Sequence, residues 1–153
     1  MATDPAQLVG RTFGPTGWRR VEQDEIDRFA AISGDSQWIH VDAERAARES
    51  PYGTTIAHGN LTRAYVDGWR DELIGSAGER LGVGAKLGVN MGYDRVRFPA
   101  PVPVGSELRA TMEIVAIDPR EGGWTSVTQR FSVELRGADK PVCVADSLVA
   151  VLI

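Results

Sequence analysis

An excess of positive charge, a pair of cysteines and a long apolar run are all missing from this chain of 153 residues. Seventeen basic residues stand against 21 acidic ones, leaving a formal charge of −4. That balance gives no electrostatic reason to expect nucleic acid as a partner. Cys143 is the single cysteine, so no intramolecular disulfide can form, which fits a reducing compartment. Only two histidines occur, His40 and His58. With Cys143 far away, three convergent ligands are not expected, and so no metal is expected. No stretch reaches the roughly 20 apolar residues of a membrane span. Met1–Gly10 lacks the basic and apolar segments of a signal peptide. No membrane association is expected, and the location expected is cytoplasmic. There is no G-x-S-x-G elbow for a serine hydrolase. Gly82-Val83-Gly84 lacks the strand–turn–helix setting of a dinucleotide loop, and no cofactor is expected.

What is present suits one folded domain spanning 1–153, with residues 1–9 as a loose start. The apolar fraction of 42% is enough for a core. Trp18–Val21 reads as a short strand. Gln23–Ile32 places Ile26, Phe29 and Ala30 on one helical face, with Asp24, Glu25 and Asp27 in the first turn. Gly34 suits the left-handed position that ends a helix. Asp35–Val41 is not helical by pattern. Asp42 is a good cap for a short helix over Ala43–Arg48, which Ser50–Gly53 ends. Gly59–Ile74 is the longest helical pattern, with Leu61, Ala64, Tyr65, Trp69 and Leu73 as one apolar stripe. Gly68 within it costs about 1 kcal/mol relative to alanine, which close packing against a sheet would explain. Asp67, Asp71 and Glu72 read as a solvated face of that helix.

The remainder alternates as β-strand: Gly84–Phe98, Leu108–Ile117, Trp124–Leu135 and Val142–Ile153. The last three have short connections and imply an antiparallel meander. Cys143 falls in the final apolar strand and reads as core. The layout is α+β: one long helix covered by a curved antiparallel sheet.

The chemistry-bearing residues cluster in Ser33–Thr62. Asp35 precedes His40 by five residues. On a helix they would point about 140° apart, so the chain between them must turn or extend to bring them together. A carboxylate beside an imidazole can hold a water, take its proton and return it. The same spacing also suits a helix-terminating aspartate and a loop histidine bonded to backbone. His58-Gly59-Asn60 opens the long helix. Free N–H groups there can meet negative charge on a carbonyl oxygen, and Gly59 allows close approach to the backbone. An ordinary helix start, with Asn60 or Thr55 as caps, is the alternative. Arg95 and Arg97 alternate before Phe98-Pro99, as surface charges or as contacts to phosphates of a ligand or a partner subunit.

Taken together, Ser33-Gly34-Asp35, Ile39-His40-Val41-Asp42 and Ile56-Ala57-His58-Gly59 resemble the signature of the MaoC-like, (R)-specific enoyl-CoA hydratase family. Asn90 to Val102 resembles its narrower branch of nodulation protein N-like proteins and actinobacterial hydratases. The resemblance implies a hot-dog fold, usually a homodimer, and an acyl-CoA substrate. It implies reversible hydration of a trans-2-enoyl thioester to a (3R)-hydroxyacyl thioester, with Asp35 and His40 as catalytic pair and the Gly59 N–H as oxyanion donor. His58 and Asn60 accompany Gly59 at the turn. Many relatives have Asp-x-Asn-Pro-aliphatic-His, whereas this chain has Gln37 and Trp38 at the middle positions. Gln37 can stand in for the Asn amide, and the bulk of Trp38 is expected to alter the turn and the acyl pocket. Two rival readings are a hot-dog acyl-CoA thioesterase and a non-catalytic acyl-binding subunit of a dehydratase.

Overall fold

The computed structural model describes residues 4–153. Two short strands open the chain, β1 (Thr12–Phe13) and β2 (Arg19–Arg20). Four helices follow: α1 (Gln23–Ser33), α2 (Trp38–Val41), α3 (Ala43–Glu49) and α4 (Gly59–Ile74). Four long strands complete it: β3 (Leu87–Arg97), β4 (Glu107–Pro119), β5 (Trp124–Leu135) and β6 (Cys143–Leu152).

The helices start and stop where local chemistry directs. Glu22 and Glu25 form a reciprocal capping box at the head of α1. Gly34, at φ 81°, ends α1 in the left-handed region, its N–H bonded to the Ala30 carbonyl at 2.9 Å. The Asp42 side chain accepts from the Arg45 N–H and caps α3. Gly75 closes α4.

The antiparallel sheet runs β1-β4-β5-β6-β3, with β2 also on β4. The meander β4-β5-β6 is as expected. β3, however, pairs with β6 and not with the strand that follows it. The proline-rich segment Pro99–Pro103 cannot extend a ladder, and it carries the chain over to the other side of the sheet. Inward residues alternate along the meander: Leu108, Ala110, Met112 and Ile114; Val127, Gln129, Phe131 and Val133; Cys143, Ala145, Ser147 and Val149. They close over Leu61, Val66 and Trp69 of α4. Each fully buried large side chain, such as Phe131 or Met112, stabilises the fold by about 1.5–3 kcal/mol. This is the hot-dog arrangement, a long helix wrapped by a curved antiparallel sheet. Cys143 sits within it, its thiol pushed up to about 11 by burial.

Four expectations need correction. Part of the loose start is ordered: Asp4 caps a 3-10 turn over Pro5–Leu8, and Leu8 is buried in the core. Residues 1–3 of that start lie outside the described residues. The buried stripe of α4 is Leu61, Thr62, Val66, Trp69 and Ile74; Ala64, Tyr65 and Leu73 are only half-buried. The true stripe is rotated because polar Thr62 is buried too. Gly68 is exposed, and a Cβ there would meet nothing within 4 Å, so packing in this chain does not explain it. Asp67 is not solvated like its neighbours. It accepts from Arg70, from the Tyr93 hydroxyl at 2.8 Å and from Asn90.

Candidate active site

The segment from Gly34 to Ala57 folds against the start of α4. Asp35, Ser36 and Gln37 are non-helical, and Trp38–Val41 then makes one helical turn. That turn is a departure from the expected non-helical run. It supplies the change of direction that carries His40 back toward Asp35. The turn is held from outside: the Gln23 amide donates to the His40 carbonyl at 2.8 Å, and the Ile56 N–H donates to the Ile39 carbonyl at 3.1 Å. Gln23 accepts in turn from the Thr55 hydroxyl at 2.5 Å.

Asp35, His40 and His58 converge. A carboxylate oxygen and one ring nitrogen from each histidine lie within 4.8 Å of one another. Asp35 is exposed, while His40 and His58 are buried. The two imidazoles stack at 3.8 Å between centroids, 24° from parallel. His40 Nδ1 lies 2.7 Å from the Ile56 carbonyl oxygen. A carbonyl only accepts, so Nδ1 carries the hydrogen and donates. In the neutral ring, Nε2 is then the nitrogen with a free lone pair, the form a general base requires.

This convergence removes the ground on which a metal was not expected, since two imidazoles and a carboxylate form a plausible ligand set. The ring geometry favours proton handling instead. Imidazoles lying nearly parallel direct their lone pairs within separate planes, whereas a metal needs ligands aimed at one centre.

Gly59 is the first residue of α4, where backbone N–H groups have no partner within the helix. The expected reason for glycine was ligand approach. The structure supplies a nearer one: a Cβ on Gly59 would lie 2.6 Å from the Phe98 ring. Phe98, 43% exposed at the end of β3, is a wall of the site that sequence reasoning missed. Its position after Arg97 and before Pro99 was visible, but nothing local showed that it folds back onto α4.

The remaining candidates are less central. His58 directs Nε2 to the Asp35 carbonyl oxygen at 2.8 Å, within the protein and not outward. Asn60 is exposed on the first turn of α4. Gln37 is exposed and caps α2 without a side-chain hydrogen bond. Trp38 is half-buried beneath the Arg45 guanidinium, 4.4 Å from its ring centre. Arg95 and Arg97 are exposed; Arg95 lies 3.8 Å from Asp146.

A cavity of about 440 Å³ opens elsewhere, between the C-terminal half of α4 and the sheet. Leu8, Ile74, Val83, Ile117 and Val149 give it apolar walls, and Arg70 and Gln129 a polar side. Asp35, His40 and Gly59 are not among its lining residues.

A hot-dog scaffold with a carboxylate and two imidazoles gathered beside a helix start is compatible with the acyl-thioester dehydratases and hydratases. The chain belongs to the MaoC-like dehydratase and hydratase family: the family model "MaoC like domain" matches residues 4–134. It is 43% identical over 146 residues to 3-hydroxyacyl-thioester dehydratase Z of Mycobacterium tuberculosis, covering 95% of this chain and 92% of that protein. It is 35% identical over 143 residues to nodulation protein N of Rhizobium leguminosarum bv. viciae, covering 94% and 86%. Among solved structures, the MaoC-like dehydratase from Rhodospirillum rubrum superposes with a TM-score of 0.70 at 28% identity, covering 94% and 92%. The (R)-hydratase from A. caviae shares the fold, with a TM-score of 0.67 at 24% identity over 92% and 94%. Among the described residues no helix is long and apolar enough to cross a membrane.

Proposed function

We propose that the protein catalyses reversible hydration of trans-2-enoyl-CoA thioesters to (3R)-3-hydroxyacyl-CoA. Asp35 and His40 hold a water over C3 of the enoyl group. His40 Nε2 takes a proton as the water oxygen bonds to C3. The electrons of the double bond move to the thioester oxygen, where the Gly59 N–H meets the charge. The proton then passes to C2, and the reverse sequence eliminates water. The observation that carries this reading is the His40–Ile56 bond, which leaves Nε2 as the acceptor of a ring gathered with the Asp35 carboxylate. A thioesterase could use the same base to aim water at the thioester carbonyl, and release of free CoA thiol without loss of enoyl absorbance would favour it. The relatives named as dehydratases support the same direction.

Crotonyl-CoA hydration, followed by loss of enoyl absorbance and chiral analysis of the product, tests the proposal. Asp35→Asn and His40→Gln should each lower kcat by about 10²–10⁴-fold with the fold intact. Near-native rates in both variants would overturn it.

We further propose a homodimer formed through β3. Among the described residues its ladder is paired on one side only, with β6, and Leu87, Val89 and Met91 along it are exposed. Sedimentation should show a dimer that Met91→Asp dissociates; a monomeric wild type would refute this.

A further inference from the structure

We propose that His58 is a positioning residue, one that aligns Asp35 and His40 with the Gly59 N–H through contacts it makes entirely within the protein. The inference rests on the hydration reading above and assigns His58 a role in that reaction without substrate contact.

Three observations converge on this ring. His58 is 3% exposed, packed between the Phe29 ring, 5.0 Å away, and the His40 ring, 3.8 Å away. Its Nε2 is 2.8 Å from the Asp35 carbonyl oxygen, so Nε2 carries the hydrogen and donates. Its Nδ1 is buried with no hydrogen-bond partner among the described residues.

Burying a second ring nitrogen with no partner among the described residues carries a desolvation cost. A phenylalanine would fill the same slot and stack on the same neighbours without that cost. What phenylalanine lacks is the donor to Asp35. That bond matters because Asp35 lies in the irregular stretch between α1 and α2, outside any helical ladder, and its carboxylate is exposed. Its own N–H is bonded to the Ser33 hydroxyl, at 3.2 Å. The direction of the carboxylate therefore depends on its backbone being held, and His58 holds the carbonyl. The same residue stacks on His40 and immediately precedes Gly59. One side chain thus ties the acid, the base and the oxyanion donor into one frame. Positioning of this kind is worth rate, since misplacement by about 1 Å can cost on the order of 10²-fold.

His58→Phe keeps the ring and removes the donor. With crotonyl-CoA, kcat should fall by about tenfold or more while KM stays within about twofold, because the lost interaction does not touch substrate. His58→Gln should recover part of the loss, since its amide reaches the place of Nε2, and His58→Asn, a methylene shorter, should recover less. In an Asp35→Asn background, His58→Phe should add less than about twofold, since its effect passes through Asp35. Full kcat in His58→Phe overturns the inference. So does a loss of equal size in both backgrounds, a loss confined to KM, or Asn outperforming Gln. If His58→Phe does not fold, as circular dichroism will show, the Gln and Asn pair decides. An inactive wild type sinks the hydration reading itself; an active wild type that Asp35→Asn silences, with His58→Phe unimpaired, sinks only this inference.

Discussion

The two ends of α4 treat polar groups in opposite ways. At the C-terminal half, each nitrogen of the Arg70 guanidinium has a partner: Nε donates to Gln129 at 2.6 Å, and the two terminal nitrogens donate to Asp67 and Ser147 at 2.8 and 2.7 Å. Asp67 is bonded in turn by Tyr93 and Asn90. At the N-terminal end, the Gly59 and Asn60 N–H groups have no partner within the helix, His40 Nε2 keeps a lone pair, and the Asp35 carboxylate is exposed. A network whose groups satisfy one another holds the helix to the sheet. A cluster left with unused lone pairs and donors is equipped to act on something else.

That contrast can be broken at either end. The largest effect expected is on turnover, from Asp35→Asn and His40→Gln, with little change in thermal stability. Next is Gly59→Ala. Its new methyl must displace Phe98 or shift the helix start; the N–H is retained but loses its aim, which lowers kcat by at most the roughly 10²–10³-fold that removal of an oxyanion donor costs. Steady-state kinetics beside a melting curve will show whether rate falls more than stability. The smallest effect on rate should come from Arg70→Met. It leaves Gln129 and Ser147 short of a partner inside the fold, and should cost about 1–3 kcal/mol in denaturant titration while crotonyl-CoA turnover stays within a few-fold. If Arg70→Met instead abolished turnover at unchanged stability, the division between the two ends would be wrong.

Much of this molecule was legible in the chain. The bounds of α4 and β5 follow directly from apolar periodicity and flanking glycines, as does the meander. Asp42 and Gly34 cap their helices as their residue types suggest. What could not be read locally depended on partners distant in sequence. Asp67 and Arg70 look like surface charges until β5, β6 and β3 bring Gln129, Ser147 and Tyr93 to them. The turn at Trp38–Val41 is too short to show a period, and its supports, Gln23 and Ile56, lie outside it. Phe98 meets Gly59 from 39 positions further along the chain, a contact that no local pattern shows. The Asp35 and His40 pairing was a suggestion of spacing, strengthened by motifs agreeing in order. The ring stack with His58 left no trace in spacing at all.

The path of Pro99–Pro103 has a consequence for how the site comes into being. The Ala57 N–H donates to the Val102 carbonyl at 2.8 Å, the Val104 N–H donates to the Thr55 carbonyl at 3.0 Å, and Ile56 bridges to Pro103. The carbonyl that orients His40 therefore belongs to a strand-like segment whose own neighbour is about 45 residues further along. Contacts of such high sequence separation form late, after the entropy of closing the intervening loop has been met. A nascent chain holding Asp35, His40 and Gly59 would already have every reacting group and still lack the arrangement. The orientation of the acid–base pair thus depends on contacts made well outside its own segment.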